Sequence, residues 1–488
     1  DSKRGHGDTP VAPYHAIRGP LSTLRFLGRE VVLGTNGLPI SVGSWFEPSV
    51  TRIGDQRAEL LSGPMELLVE GEDGALVPFL SEDVRFTKRD AGEVRWVSRW
   101  VGELGSGRIF FEINGVLESE GNMEFRCRLQ ADRMNPTDVG LGDVRLEVHR
   151  TLVTSRYAAG MGLYGGERPD FLEWQWRPTV QSQDAFWMGS ANAGMRVQLR
   201  DARSDRPVEG VDLRLQSVRG PESWMNAGNG GVHMERGPGR EDGDVVHWIA
   251  FSGARRLAPG QSLDFNFNLS ITPFRPYSAA LQTSDRTYQE KGVPSSSALG
   301  NGVNRINLHH GNALNPFINY PYATSDRLED FVKRSGKAGG RTGLYYGMRE
   351  MSYRGTEFFA FRSFGDEVLM PGSGGGDAWL EEHTDGDYLA GTMESSMRDG
   401  AVVMRPDSRY ANYYVEGLDW LVSKTGISGV YMDGVGMDRR VMRRVRRVLQ
   451  ERVGGGQARV EVHGANGMTA QGGYSSTVVE HMEALPFI

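Results

Sequence analysis

The chain has 488 residues, of which 39% are hydrophobic and 24% charged, with ten Trp; that length exceeds a single hydrophobic core and that composition excludes wholesale disorder, so two or more folded domains are expected. A formal charge of −7, from 62 acidic and 55 basic side chains interspersed along the chain, excludes a global field for nucleic acid or an anionic membrane and fits a neutral partner better. The single Cys127 excludes an internal disulfide and a cysteine-based zinc site, and no stretch of about 18 apolar residues offers a membrane span.

The first ten residues are polar and hold no retained signal peptide; a start at Asp1 is expected to reflect processing or truncation. Glycine, at 65 residues, is close to twice its usual share of about 7%, which points to turns and short strands. From about Leu21 to Pro276 such runs follow one another: REVVLG, GPMELLVEG, EVRWVSRWVGEL, RIFFEINGVLE, MEFRCRLQ, VRLEVHR, MRVQLRD, VDLRLQS, HWIAFSG and LDFNFNLSITP. Their period of two predicts strands with one buried face. In MEFRCRLQ, Met123, Phe125, Cys127 and Leu129 form that face, and Glu124, Arg126, Arg128 and Gln130 the wet one. So many strands with little helical periodicity predict a large antiparallel β-sandwich over residues 1–276, followed by a linker over 277–302.

From residue 303 strands alternate with helices. VNRINLHH, RTGLYYGMRE, ISGVYMDG, ARVEVHGAN and TVVEHMEALPF read as strands, and a further one is allowed around EFFAFRSF. SDRLEDFVKRSGKAG, with Ser325 as its N-cap, RYANYYVEGLDWLVSKTG, ending at Gly426, and DRRVMRRVRRVLQERVG read as helices. Such alternation predicts a (β/α)8 barrel over 303–488, whose chemistry sits at the carboxyl ends of its strands. A full barrel takes about 250 residues, more than this segment supplies, so the barrel is expected to be truncated after about its sixth strand.

Five strand ends carry polar or ionisable side chains: His309, His310 and Asn312; Arg349 and Glu350; Asp433; His463 and Asn466; and Glu480, His481 and Glu483. A lone strand-end Asp before Gly is more often a turn former than a catalyst. Five such ends together point to a site of carboxylates, imidazoles and amides, joined by His383 and by the stacking candidates Tyr345, Tyr346, Trp379 and Tyr388. That set suits a carbohydrate substrate without a cofactor, because no phosphate-binding glycine loop is present and GSGGG reads as a lid. Glycoside hydrolysis needs one ionised and one protonated carboxyl group. Asp433, kept anionic by a nearby Arg349, and Glu480, beside apolar Val478 and Val479, are the expected pair, with Glu350 and Glu483 as competitors. The remaining residues are expected to bind substrate. A metal-dependent hydrolase using His309, His310, His463, His481 and Asp433 is the runner-up, weakened because adjacent His309 and His310 should point to opposite faces of a strand. A glycan-binding protein is the third reading. The run Arg439, Arg440, Arg443, Arg444, Arg446 and Arg447 lies beside the apolar stripe Val441, Met442, Val445, Val448 and Leu449, so it reads as a solvated helix face rather than a nucleic-acid surface.

The segments VNRINLHHGNALNPFINYPY, LYYGMREMS, RYANYYVEGLDWLV, GVYMDGVGMDR and VEVHGANG are similar to uncharacterised bacterial proteins grouped near glycoside hydrolase family 123. The resemblance implies a family-type N-terminal sandwich, a (β/α)8 catalytic domain acting on glycans, and secretion or a periplasmic location. Family 123 resembles a substrate-assisted N-acetylgalactosaminidase group with adjacent Asp and Glu, whereas Gly434 follows Asp433 here. YMDG instead resembles the fourth-strand nucleophile motif of α-galactosidase-type barrels, whose acid/base lies on the sixth strand; on that analogy Asp433 is the nucleophile and Glu480 the acid, with retention of configuration.

Overall fold

The computed structural model describes residues 2–176, 184–202, 208–209, 221–240, 243–295, 301–370, 399–406, 408–433, 438–454, 456–463 and 477–488. The N-terminal half is β-rich and antiparallel. An eleven-stranded sheet, with the strands Glu93–Leu104, Gly107–Glu118, Asn122–Ala131 and Asn266–Thr272 adjacent along it, faces a six-stranded sheet built around Val139–Thr151 and Asp244–Phe251; a four-stranded sheet precedes both. The predicted alternation in MEFRCRLQ holds: Met123, Phe125, Cys127 and Leu129 are fully buried, whereas Arg126 and Arg128 are exposed. The aromatic side chains Trp96, Phe125, Phe267 and Trp248 join them in one continuous core between the sheets.

The C-terminal half is built on five parallel strands in spatial order β1 (Thr287–Tyr288), β2 (Arg305–Leu308), β3 (Arg341–Tyr345), β4 (Gly429–Asp433) and β5 (Arg459–His463). Helices α1 (Ser325–Lys337), α2 (Arg409–Thr425) and α3 (Arg439–Val453) cover one face. Ile306, Leu308, Leu344, Val430, Met432 and Val460 of the sheet pack there against Leu328, Leu418, Leu421, Val441 and Val445 of the helices.

Several expected elements differ. EFFAFRSF forms the short helix Glu357–Arg362, so β3 pairs directly with β4. The segment expected as a linker supplies β1 and the helix Ala279–Ser284. TVVE is a helical turn followed by a 3-10 helix; it lies beside the sandwich strands Tyr157–Gly160 and Ala185–Gly189, with Val479 buried, and does not extend the parallel sheet. Thr324, not Ser325, occupies the N-cap of α1. Gly426 ends α2 at φ 75°, a left-handed conformation that favours Gly.

Apart from the exposed Arg440, the arginine-rich face of α3 is not solvated. Arg443 donates to Glu120 Oε2 at 2.8 Å and lies 2.8 Å from Glu118 Oε2, both on the sandwich. On the other flank, residues 4–12 run along the helix: Arg444 donates to the Arg4 carbonyl at 3.0 Å, Arg447 to those of Gly5 and Gly7 at 3.1 and 2.8 Å, and Gln450 to that of Ala12 at 2.7 Å. The arginines thus satisfy backbone carbonyls and buried carboxylates that would otherwise lack partners. Val11 and Tyr14 continue this strap into the core of the parallel domain.

Helix α2 meets the sheet closely at Gly417, where a Cβ would stand 1.9 Å from Tyr322 Oη and 2.7 Å from Tyr346 Oη. Those hydroxyls are 2.6 Å apart, and Tyr346 is stacked on Tyr414. Gly417→Ala is therefore expected to destabilise by about 1–3 kcal/mol through overpacking, despite the better helix propensity of Ala. A fall in the urea midpoint checks this; a rise would show that the tyrosines can move aside.

Candidate active site

Strand alternation decides which side chains leave the helix-covered face. In β2 to β5, Asn307, Tyr345, Tyr431, Asp433, Glu461 and His463 share the opposite face. Register places Tyr345, Tyr431 and Glu461 in one row, with Asp433 beside His463 in the next. The carboxylate of Asp433, half-exposed, lies 3.2 Å from His463 Nδ1. Asn307 Nδ2 donates to Glu461 Oε2 at 2.5 Å, and Gly343 leaves room for it, since a Cβ there would stand 3.1 Å from Asn307 Oδ1.

Tyr345 is the centre of the site. His309 and His310 lie past the end of β2, so strand alternation no longer separates them: their rings are 4.4 Å apart, and both contact Tyr345, at 4.8 and 4.5 Å. This corrects the expectation that at most one could enter. Burial, then the neighbouring His309 and Lys291, pushes His310 down to about 4, so it is a neutral imidazole at neutral pH. Tyr431 lies 5.7 Å from Tyr345 and 6.4 Å from His309, so the three rings form a cluster.

The Tyr345 hydroxyl donates to Glu350 Oε1 at 3.1 Å. Glu350 is almost completely buried, and its Oε2 accepts no hydrogen bond among the described residues. Burial, opposed by Arg349 and reinforced by Asp399 and Asp433, pushes its carboxyl up to about 7. Arg349 Nε is 3.7 Å from Glu350 Oε2, so the guanidinium expected at Asp433 serves Glu350 instead. Asn319, held at φ 52°, donates from Nδ2 to the Glu350 carbonyl at 2.6 Å and accepts from the Gly347 N–H, fixing the turn that carries Glu350.

Other expected site residues have different places. Asn312 Oδ1 accepts from Leu314 and Asn315 N–H, and its Nδ2 donates to the carbonyls of Lys291 and His309, so the amide holds the loop. Tyr346 belongs to the helix-facing core. Glu483 is paired with the buried Arg196 of the sandwich at 2.9 Å; burial raises its carboxyl, but Arg196 and Arg200 outweigh this and hold it down at about 2. Residues 481–483 thus belong to the interface between the domains, with His481 adding its charge to that of the arginines on Glu483. Glu480 ends the helical turn packed on the sandwich, which removes the strand-end position that made it the expected acid. Trp379, His383, Tyr388, Asn466 and the GSGGG segment lie outside the described residues. Among the described residues, His309, His310, His463 and Asp433 do not gather into a three-ligand metal set. Sequence reasoning missed Asn307, Asn319, Tyr431 and Glu461; three of these share strand parity with Tyr345, Asp433 and His463, a signal that was present.

Comparison with known proteins places these observations. Residues 278–488 match the family model "Glycoside hydrolase 123, TIM-barrel domain", and residues 20–273 match "Glycoside hydrolase 123, third domain". No curated protein matches the chain. Among solved structures, it resembles the GH36 alpha-galactosidase AgaA from Geobacillus stearothermophilus at 11% identity, covering 97% of this chain and 77% of that one with a TM-score of 0.37. It also resembles the alpha-galactosidase from Lactobacillus brevis at 10% identity, covering 96% and 71% with a TM-score of 0.35. With both halves matched by models of one family, the chain belongs to glycoside hydrolase family 123 and is a glycosidase with a β-rich N-terminal domain and a TIM-barrel-like C-terminal domain.

Proposed function

We propose that the chain hydrolyses O-glycosidic bonds of an oligo- or polysaccharide with two carboxyl groups, Asp433 as the ionised nucleophile or ion stabiliser and Glu350 as the proton donor. The observation that carries this reading is a pair of carboxyl groups in unlike environments around Tyr345: Asp433 is half-exposed at a strand end, and Glu350 is buried and held up at about 7. The charge of Asp433 acts on both Tyr345 and Glu350, which places the three in one electrostatic neighbourhood. The exposed His463 offers a polar contact beside Asp433, while the buried Tyr345 and Tyr431 rings form the floor beneath it. Polymeric glycans of this kind suit a secreted or periplasmic enzyme.

Retention of configuration is part of the proposal, the course that a carboxyl separation of about 5–5.5 Å gives, whereas about 6.5–9.5 Å gives inversion. A panel of chromogenic glycosides on the full-length chain identifies a substrate, and proton NMR of the first-formed anomer reads the course. On that substrate Asp433→Asn is expected to lower kcat by at least about 10²-fold, within the range for removing a group that acts in the transition state. Turnover at the wild-type rate would remove Asp433 from the reaction, and a loss in Glu480→Gln larger than in Glu350→Gln would return the acid role to Glu480.

A further inference from the structure

A second group of ionisable side chains stands on the outer face of the sandwich, in the other domain. In the strand Val139–Thr151, Leu146 and Val148 point into the core, while Arg145, Glu147 and His149 share the other face. Register sets Glu66 beside Glu147 on one neighbouring strand and His247 beside His149 on the other. One ligand atom from each of Glu66, Glu147 and His149 lies within 4.8 Å of the other two, the one such trio among the described residues. Arginines orient both carboxylates: Arg145 Nε donates to Glu147 Oε1 at 2.7 Å, and Arg240 donates to Glu66 Oε2. Glu147 thereby turns its Oε2 toward His149 Nε2, at 3.4 Å.

The proton count along this line does not close. The Pro238 carbonyl lies 3.1 Å from His247 Nε2, His247 Nδ1 lies 2.8 Å from His149 Nδ1, and His149 Nε2 faces the Glu147 carboxylate. Acceptors stand at both ends of two linked imidazoles, so three contacts need three positive centres, and two neutral rings supply only two N–H groups. The third centre is a proton, making one ring an imidazolium, or a metal ion. A separation of 3.4 Å falls on the edge of a tetrahedron whose ligands stand about 2.0–2.2 Å from a central zinc, and Glu66 brings a third ligand atom within 4.8 Å of both, a convergence that a proton shared between His149 and Glu147 does not call for.

We propose that Glu66, Glu147 and His149 bind a divalent transition-metal ion of the zinc class. His247, anchored on the Pro238 carbonyl, donates nothing to His149 in this state; it accepts the Nδ1–H and so directs the Nε2 lone pair to the metal, the usual role of an outer partner of a ligating imidazole. Such an ion would tie together neighbouring strands of a domain whose single Cys127 gives it no disulfide. Arg145 and Arg240 oppose the ion's charge, and Glu70, which also accepts from Arg145, offsets part of that.

The test is titration of tag-free, chelator-dialysed full-length protein with zinc chloride and with calcium chloride, followed by calorimetry and by thermal melting. One zinc per chain is expected at this site, with a raised melting temperature and no calcium uptake, because calcium wants six to eight oxygen ligands. Glu147→Gln and Glu66→Gln should each abolish that binding event, and His247→Phe should weaken it by about 10–100-fold. The triple variant His309→Ala, His310→Ala, His463→Ala should retain it, which separates this site from the imidazoles around Tyr345. Unchanged zinc uptake in both glutamate variants overturns the proposal. So does the absence of uptake in the wild type, which would assign the third positive centre to a proton.

Discussion

Replacing Glu350 with Gln is expected to lower turnover by about 10²–10⁴-fold and, in the same protein, to raise stability at alkaline pH. Both effects come from one property. The Glu350 carboxyl is raised to about 7 by burial, with Arg349 opposing and Asp399 and Asp433 adding to the rise. A proton donor must hold its proton, so the alkaline limb of wild-type kcat/KM should fall as pH rises through about 7. The stability term has the same direction: a carboxyl whose folded value lies above its unfolded one contributes fully below the unfolded value of about 4.3 and progressively less as pH rises toward 7. From the difference between 4.5 and about 7, ionised Glu350 costs the fold about 3 kcal/mol at pH 8 or above. Gln keeps the acceptor for the Tyr345 hydroxyl and carries no charge to desolvate, so the variant should match the wild type near pH 4 and exceed it near pH 8. Urea melts at the two pH values, read beside the pH profile of hydrolysis, check this. Wild-type turnover with an unchanged alkaline limb would make Glu350 a structural acid, and equal stability at both pH values would show that its carboxyl titrates in the ordinary range.

How far the site could be read from sequence depended on whether a residue's position followed from its own strand. Asp433, His463 and Tyr345 sit where apolar alternation ends, and their common parity also carried Asn307, Tyr431 and Glu461, which the strand-end criterion passed over. His309 and His310 escaped the alternation rule because β2 stops at Leu308. Glu350 was legible only as a competitor: its raised carboxyl depends on burial by the Asp399–Ala401 strand, paired with Glu350–Ser352 across a long intervening segment. No local pattern encodes that pairing. The sandwich was legible because each long strand buries one face over many residues, as Met123 to Leu129 illustrate. The last residues misled for the opposite reason. TVV is as apolar as a strand, but too short to separate strand from helix, and tertiary packing decided it.

The arginines of α3 misled most, and their correction carries the largest expected loss of stability. Arg443 is the counter-ion that reaches both Glu118 and Glu120, whose side chains are only 5% and 2% exposed. Arg443→Met would keep much of the packing against Phe487, whose ring centroid lies 5.6 Å from the guanidinium carbon, but would take the cation from buried Glu120 and leave Glu118 with Arg439 alone, at 3.3 Å. Removing one partner from a buried ionic group costs about 3–5 kcal/mol, because the desolvation of the survivors is no longer repaid. The loss should depend on pH in a definite sense. Burial already raises the Glu120 carboxyl against the pull of Arg443; without that pull it rises further, so the deficit should shrink as the solution is acidified and the carboxyl takes up its proton. The Arg196–Glu483 pair of the same interface runs the other way: its carboxyl, held at about 2, contributes above its unfolded value of about 4.3 and is lost as pH falls toward 2. Melting of Arg443→Met between pH 5 and 8, beside Arg443→Met with Glu120→Gln, separates charge from shape. The second substitution should recover part of the loss near pH 8 and little near pH 5; an Arg443→Met melt within about 0.5 kcal/mol of wild type, the range of ordinary surface changes, would show that water reaches the pair. The consequence extends to the site, because α3 begins at the Asp438 cap, five residues after Asp433. The clasp that holds α3 to the sandwich on one flank and to residues 4–12 on the other therefore also holds the helix that follows the end of β4, where Asp433 stands.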